Sequence, residues 1–259
     1  MTDSYDIPPI KPISREQLDK LQCDWYNELS GNMPYMDCHK CKNKGYIACM
    51  NDVGDIVHRE CECMKIRRNF EAIHKSGLEQ VLKHCTFEKF STPELWQQHI
   101  KKKALDYLLI PDNKWLYVSG QSGCGKTHIC TAICGDLMES GRTVKYVMWR
   151  DILHELQGLQ FKADEYQQRI NEIQKIDVLY IDDFLKNIDK SKMGTNLDFA
   201  LEIINKRYVA DHKTIISTEL LIDDISAMDT ALSRRIIEKS AGYIIQVKRD
   251  TSRNYSLKK

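Results

Sequence analysis

The chain has 259 residues, room for one large domain or for a small module beside a core domain. It is 42% hydrophobic and 29% charged with a net charge of +1, which excludes a polycation, so any nucleic-acid surface must be local. No apolar run approaches the roughly 20 residues of a membrane span, and the N-terminus, MTDSYDIPPIKPISREQ, lacks the basic and apolar regions of a signal peptide. A cytosolic protein, with reduced thiols and no membrane partner, is therefore expected.

Residues 1–13 carry three prolines and no periodicity, as in a flexible arm. SREQLDKLQCDWYNEL then predicts a helix with Ser14 and Gln17 in a capping box and an apolar stripe of Leu18, Leu21, Trp25 and Leu29. That stripe needs a partner, either the module that follows or another protein; Trp25 packing inward with Tyr26 outward would serve both. A cysteine-rich stretch follows, then a helical segment from Met64 to about His84, a new beginning at TFEKFSTPELW, and a helix over 94–109. From Lys114 the pattern alternates. WLYVSG, TVKYVMW, DVLYIDD, TIIST and GYIIQVK read as five strands, separated by helical KTHICTAICGDLMESG, RDILHELQ, ADEYQQRINEIQK and GTNLDFALEIINKRYVADH. Strands alternating with helices predict an α/β fold whose parallel sheet is covered on both faces.

Gly120, Gln121, Ser122, Gly123, Cys124, Gly125, Lys126 and Thr127 spell G-x-x-x-x-G-K-T between a strand and a helix. This is the context in which backbone N–H groups and a helix N-terminus cradle phosphates. Lys126 is expected on the β- and γ-phosphates of ATP, and Thr127 on Mg²⁺. In VLYIDD, Asp182 is placed to hold the Mg²⁺ through water. Asp183 either orients the attacking water or caps the following turn. At the end of the fourth strand Ser217, Thr218 or Glu219 could sense the γ-phosphate, or Thr218 caps the helix that begins near Leu221. Arg234 and Arg235 are either a transition-state finger offered to a neighbouring subunit or solvated surface charges.

Cys38-x-x-Cys41 and Cys61-x-Cys63 are two close pairs separated by 19 residues that read as a β-hairpin around Asn51–Gly54. In a reducing compartment this spacing predicts one Zn²⁺ on four thiolates, with His39, Cys49 and His58 as rival ligands and an Fe–S cluster or buried free thiols as alternatives. The zinc would stand in for a core that so small a module cannot build.

The N-terminal cysteines, TFEKF, GQSGCGKTH, VLYIDDF, LEIINKRY, TIISTEL and SRRIIE occur in that order. Together they resemble the DnaC/DnaI type of replicative helicase loader, in a phage-encoded version, over about Cys38 to Ile245. The resemblance implies an AAA+ ATPase core over 85–259, without a C-terminal lid. It implies an N-terminal zinc module over 1–84 that grips a DnaB-type hexameric helicase, single-stranded DNA as ligand, and self-association into an oligomer. It carries over Lys126 and Thr127 as phosphate and Mg²⁺ residues, Asp182 and Asp183 as the acidic pair, and Arg235, with Arg234 second, as the finger. Many relatives have asparagine where this chain has Glu219, which leaves the γ-phosphate sensor open among Ser217, Thr218 and Glu219. Single strands are expected on the basic segment from Arg234 to Lys259, which carries eight Lys/Arg against two Asp/Glu along with Tyr243 and Tyr255, or on Lys162, Tyr166 and Arg169 between the second and third strands. An IstB-type transposition helper bound to duplex DNA, and a small-molecule kinase, are the competing classes.

Overall fold

A computed structural model describes residues 13–34, 36–76, 81–82, 84–110, 112–186, 192–248 and 250. The chain divides into two compact units, residues 1–67 and 68–259.

In the first unit, helix α1 (Arg15–Glu28) starts at the expected capping box: Gln17 N donates to Ser14 Oγ at 3.2 Å and Ser14 N to Gln17 Oε1 at 3.0 Å. Strands β1 (Tyr46–Met50) and β2 (Ile56–Glu60) form the predicted antiparallel hairpin, from Tyr46 opposite Glu60 to Met50 opposite Ile56. Its turn is held by Asn51 Oδ1, which accepts from Val53 N at 3.0 Å and Asp55 N at 2.8 Å. The helix docks on β1 through buried Cys23 and through Asn27, whose amide pairs with both backbone groups of Ala48 at 2.9 Å. Tyr26, not Trp25, faces the hairpin. The Tyr26 ring meets His58 edge-on at 4.5 Å, whereas Trp25 is 67% exposed. The reason is the Asn27–Ala48 clamp, which fixes the rotation of α1 and turns Leu18, Leu21 and Trp25 to solvent. Helix α2 (Cys63–Ser76) starts at the second cysteine pair.

The second unit opens with helix α3 (Leu95–Leu108), then alternates β3 (Leu116–Gly120), α4 (Lys126–Glu139), β4 (Val144–Met148), α5 (Trp149–Leu159), α6 (Ala163–Lys175), β5 (Val178–Asp182), α7 (Met193–Ala210), β6 (Lys213–Thr218), α8 (Ile222–Met228), α9 (Thr230–Lys239) and β7 (Ile244–Val247). The sheet is five-stranded and wholly parallel, in the order β4-β5-β6-β3-β7, as expected. Alternate residues serve opposite faces. Leu116 and Val118 join the core with α3 and α4, while Trp115 and Tyr117 join the core with α5 to α9. The arginine-bearing stretch after β6 is helix α9, capped by Asp229 Oδ1 accepting from Leu232 N at 2.7 Å.

Arg207, in the sequence INKRY, is fully buried. Its guanidinium donates to the carbonyls of Ile173 and Gln174 at 3.1 Å and to that of Ile176. These are orphan acceptors at the C-terminus of α6, so Arg207 caps one helix from the end of another. That cap fixes the turn into β5 and hence the height at which its acidic pair emerges.

Candidate nucleotide and metal sites

The phosphate loop joins β3 to α4, and Gly125 caps the helix in the left-handed region, at φ 89°. A side chain there would also put its Cβ 2.9 Å from the Phe90 ring. Phe90 in turn meets His128 edge-on at 5.3 Å, and a His128 ring nitrogen lies 2.9 Å from Thr86 O. The TFEKF segment is thus a floor against which the loop is moulded, a role its sequence did not reveal. Cys124 is buried in the loop, and burial pushes its thiol up. Gln121 exchanges two hydrogen bonds, of 2.6 and 2.8 Å, with the backbone of Asp250.

Loop and acids enclose a pocket of about 340 Å³ that includes Ser122, Gly123, Lys126, Thr127, Asp183 and Glu219. The Lys126 ammonium folds onto Gly120 O and Gln121 O, both at 2.9 Å. Thr127 Oγ1 donates to the Asp182 carboxylate at 3.2 Å, so the two expected Mg²⁺ ligands already share one spot. Asp182 is buried and orientated from three more sides, by Ser217 Oγ, by Tyr146 OH at 3.3 Å and by Asp183 N at 3.0 Å. Hard oxygen donors fixed in this way suit Mg²⁺ beside a triphosphate.

Among the sensor candidates, Ser217 bonds Asp182 and Glu219 lines the pocket. Thr218 is fully buried. Its hydroxyl donates to Phe184 O at 2.7 Å and accepts from Leu220 N at 3.1 Å, both backbone groups. Arg234 is exposed on α9. Arg235 donates to Ala231 O at 2.8 Å and lies over the Tyr208 ring at 6.0 Å. Neither arginine lines this pocket.

The expected DNA residues between β4 and β5 are engaged internally. Lys162 pairs with Glu165 at 3.1 Å, Arg169 with Glu155 at 2.8 Å and Glu172 at 3.0 Å, and Tyr166 OH bonds Glu202. Phe161, in the turn between α5 and α6, is instead 97% exposed, a feature sequence reasoning missed. Tyr243 is half-buried against Tyr107, its ring 5.4 Å away, and Tyr255 lies outside the described residues.

In the first unit Cys38, Cys41, Cys61 and Cys63 converge, their Sγ atoms all within 4.8 Å of one another. Cys38 Sγ lies 3.7 Å from Cys61 Sγ, and Cys41 Sγ 3.5 Å from Cys63 Sγ. Four thiolates around a tetrahedral Zn²⁺ at ~2.3 Å stand about 3.8 Å apart, so the set fits that ion. His39, Cys49 and His58 are not in the cluster. The knuckle after Cys41 uses left-handed Lys42, Asn43 and Gly45, and Gly45 N donates to Cys41 Sγ at 3.3 Å. Burial raises the Cys41 thiol, but the Gly45 N–H and the neighbouring thiols outweigh it and bring it to about 6. Burial pushes Cys63 up to about 12. Arg67 ties the knuckle together, donating at 2.8 Å to Met33 O, Met36 O and Asn43 Oδ1.

The chain is 27% identical over 223 residues to the phage-like element PBSX protein XkdC of Bacillus subtilis, covering 82% of each. It is 28% identical over 130 residues to the replicative helicase loader DnaC of Escherichia coli, covering 49% of this chain and about half (52%) of that one. Crystal structures of the DnaC helicase loader and of DnaI share the fold. Their TM-scores are 0.53 and 0.52, each at 17% identity, covering 66% and 68% of this chain and 99% and 93% of theirs. The model of the family described as IstB-like ATP binding protein matches residues 37–258, and the chain therefore belongs to this IstB/DnaC-like AAA+ family.

Proposed function

We propose that the protein is an ATPase that binds a DnaB-type hexameric replicative helicase and helps to place it on single-stranded DNA. One observation carries this reading. A complete phosphate-loop and acid-pair site shares a chain with a separate metal-compatible unit whose helix α1 leaves Leu18, Leu21 and Trp25 on the surface. An energy-using core and a recognition module are what an assembly factor needs. A metabolite kinase needs neither the cysteine unit nor the stripe.

In this reading residues 1–84 hold the helicase contact and 85–259 the ATPase. Lys126 neutralises the β- and γ-phosphates, and Thr127 and Asp182 hold Mg²⁺, which supplies charge stabilisation on the phosphate oxygens when bound. Asp183, next to Asp182 and on the pocket wall itself, orients or deprotonates the attacking water. Arg235, with Arg234 as second choice, acts on a neighbouring subunit's nucleotide in an oligomer. Its position off its own pocket supports a role in trans. Zn²⁺ on the four cysteines would set the frame of the N-terminal unit. The exposed Phe161 ring supports stacking on an unpaired base, with the basic segment from Arg234 onward following the backbone.

The family also contains the competing reading, a transposition helper on duplex DNA. Affinity capture separates the two. Immobilised protein should retain the host's hexameric helicase, more with ATP than without. Retention of a transposase and no helicase would overturn the loader reading.

A further inference from the structure

Directly after Asp182 the backbone turns twice into the left-handed region, at Asp183 (φ 52°) and Leu185 (φ 54°), neither of them glycine. Such conformations are strained for residues other than glycine and persist where the surroundings impose them. Here Phe184 imposes them. It is fully buried, its N–H donates to Ser217 O at 2.9 Å, and its carbonyl accepts from Thr218 Oγ1 at 2.7 Å. The turn closes with Lys186 N on Asp183 O at 3.1 Å. The outcome is that Lys186 points back over Asp183 and Glu219. Its ammonium stands 2.9 Å from Glu219 Oε1 and 3.2 Å from Asp183 Oδ2, and it lines the same pocket as Lys126.

This geometry answers an electrostatic difficulty. Asp183 and Glu219 both face the space where a terminal phosphate would lie, and at a few ångströms like charges in a partly desolvated cleft repel strongly. Lys126, at the loop end, is a single cation. We propose that Lys186 is a second phosphate-contacting cation, which leaves its carboxylate partners for the γ-phosphate and so distinguishes ATP from ADP. It rests on the nucleotide-site reading above. Glu219 first, and then Asp183, hold the ammonium above its ordinary pKa, so the cation is charged when nucleotide arrives. The Lys186 side chain is 28% exposed, and with Asp183 it also lines a second cavity of about 500 Å³.

The test is calorimetric titration of the full chain and its variants with MgATP and with MgADP, alongside steady-state hydrolysis. Lys186→Met should weaken MgATP about tenfold, the value of one charged contact, and leave MgADP within about twofold. Lys186→Arg should restore the preference. Glu219→Gln, which removes a competing anchor and a repelling charge, should tighten MgATP relative to MgADP. If the parent neither binds nor hydrolyses ATP, the nucleotide reading and this role fall together. If the parent hydrolyses ATP and Lys186→Met keeps the parent's ATP-over-ADP preference, only the role of Lys186 falls, whatever happens to kcat.

Discussion

Asp182 sets the scale of single residues. Four donors converge on one buried carboxylate, so its position is fixed before any ligand arrives. Asp183, one residue on, gives only its backbone N–H to that network; its carboxylate, 3.2 Å from the Lys186 ammonium, lines the pocket. Lys126→Ala should weaken MgATP about 100-fold by removing a charge-assisted contact. Asp183→Asn should bind MgATP at least as tightly as the parent and hydrolyse it about 100-fold more slowly. Normal hydrolysis by Asp183→Asn would reduce Asp183 to a residue of the turn. Arg207 is a contrasting case, functional in appearance because of its charge but structural in its contacts. Arg207→Met strands the α6 carbonyls it now satisfies and should cost about 3 kcal/mol in chemical denaturation. A loss below about 1 kcal/mol would contradict its capping role. The loop glycines, Lys126 and the acids were legible because their spacing along the chain is the site's geometry. Lys186 was not, because it reaches the pocket only through two left-handed residues that no side-chain pattern announces.

At the scale of elements, the five strands, the hairpin and the capping box of α1 all follow from period and end signals in the sequence. The rotation of α1 did not follow. The stripe of Leu18, Leu21, Trp25 and Leu29 could face either the module or another protein, and two hydrogen bonds between Asn27 and Ala48 decide which face docks. The four cysteines were legible as pairs, whereas the exclusion of His39, Cys49 and His58 needed three-dimensional distances. Cys61→Ser should reduce bound zinc from one ion per chain to near zero and melt the hairpin unit, while MgATP affinity stays within about twofold because the ATP site lies wholly in residues 68–259. Elemental analysis with nucleotide titration checks this; an intact, zinc-free parent would remove the metal from the account. Likewise Leu21→Asp with Trp25→Asp, both on exposed positions, should leave the melting temperature unchanged and abolish helicase capture. Undiminished capture would place the contact elsewhere.

For the whole molecule, the proposed function divides the labour between the two units: one would grip the helicase, and the other would spend ATP and meet DNA. Arg235→Ala should bind ATP and fail to hydrolyse it, and mixing it with Lys126→Ala should recover part of the rate, since each supplies what the other lacks across a subunit boundary. Single-strand binding should fall steeply with salt and drop with Phe161→Ala, read by fluorescence anisotropy on labelled oligonucleotides; equal binding by the variant would move the contact off that turn. Helicase placement is read out by the host helicase's unwinding of an oligonucleotide annealed to a closed single-stranded circle. With this protein and MgATP the helicase should load and strip the oligonucleotide, and with Lys126→Ala in its place it should not. A rate no higher with the protein than without it would mean that the protein does not place the helicase.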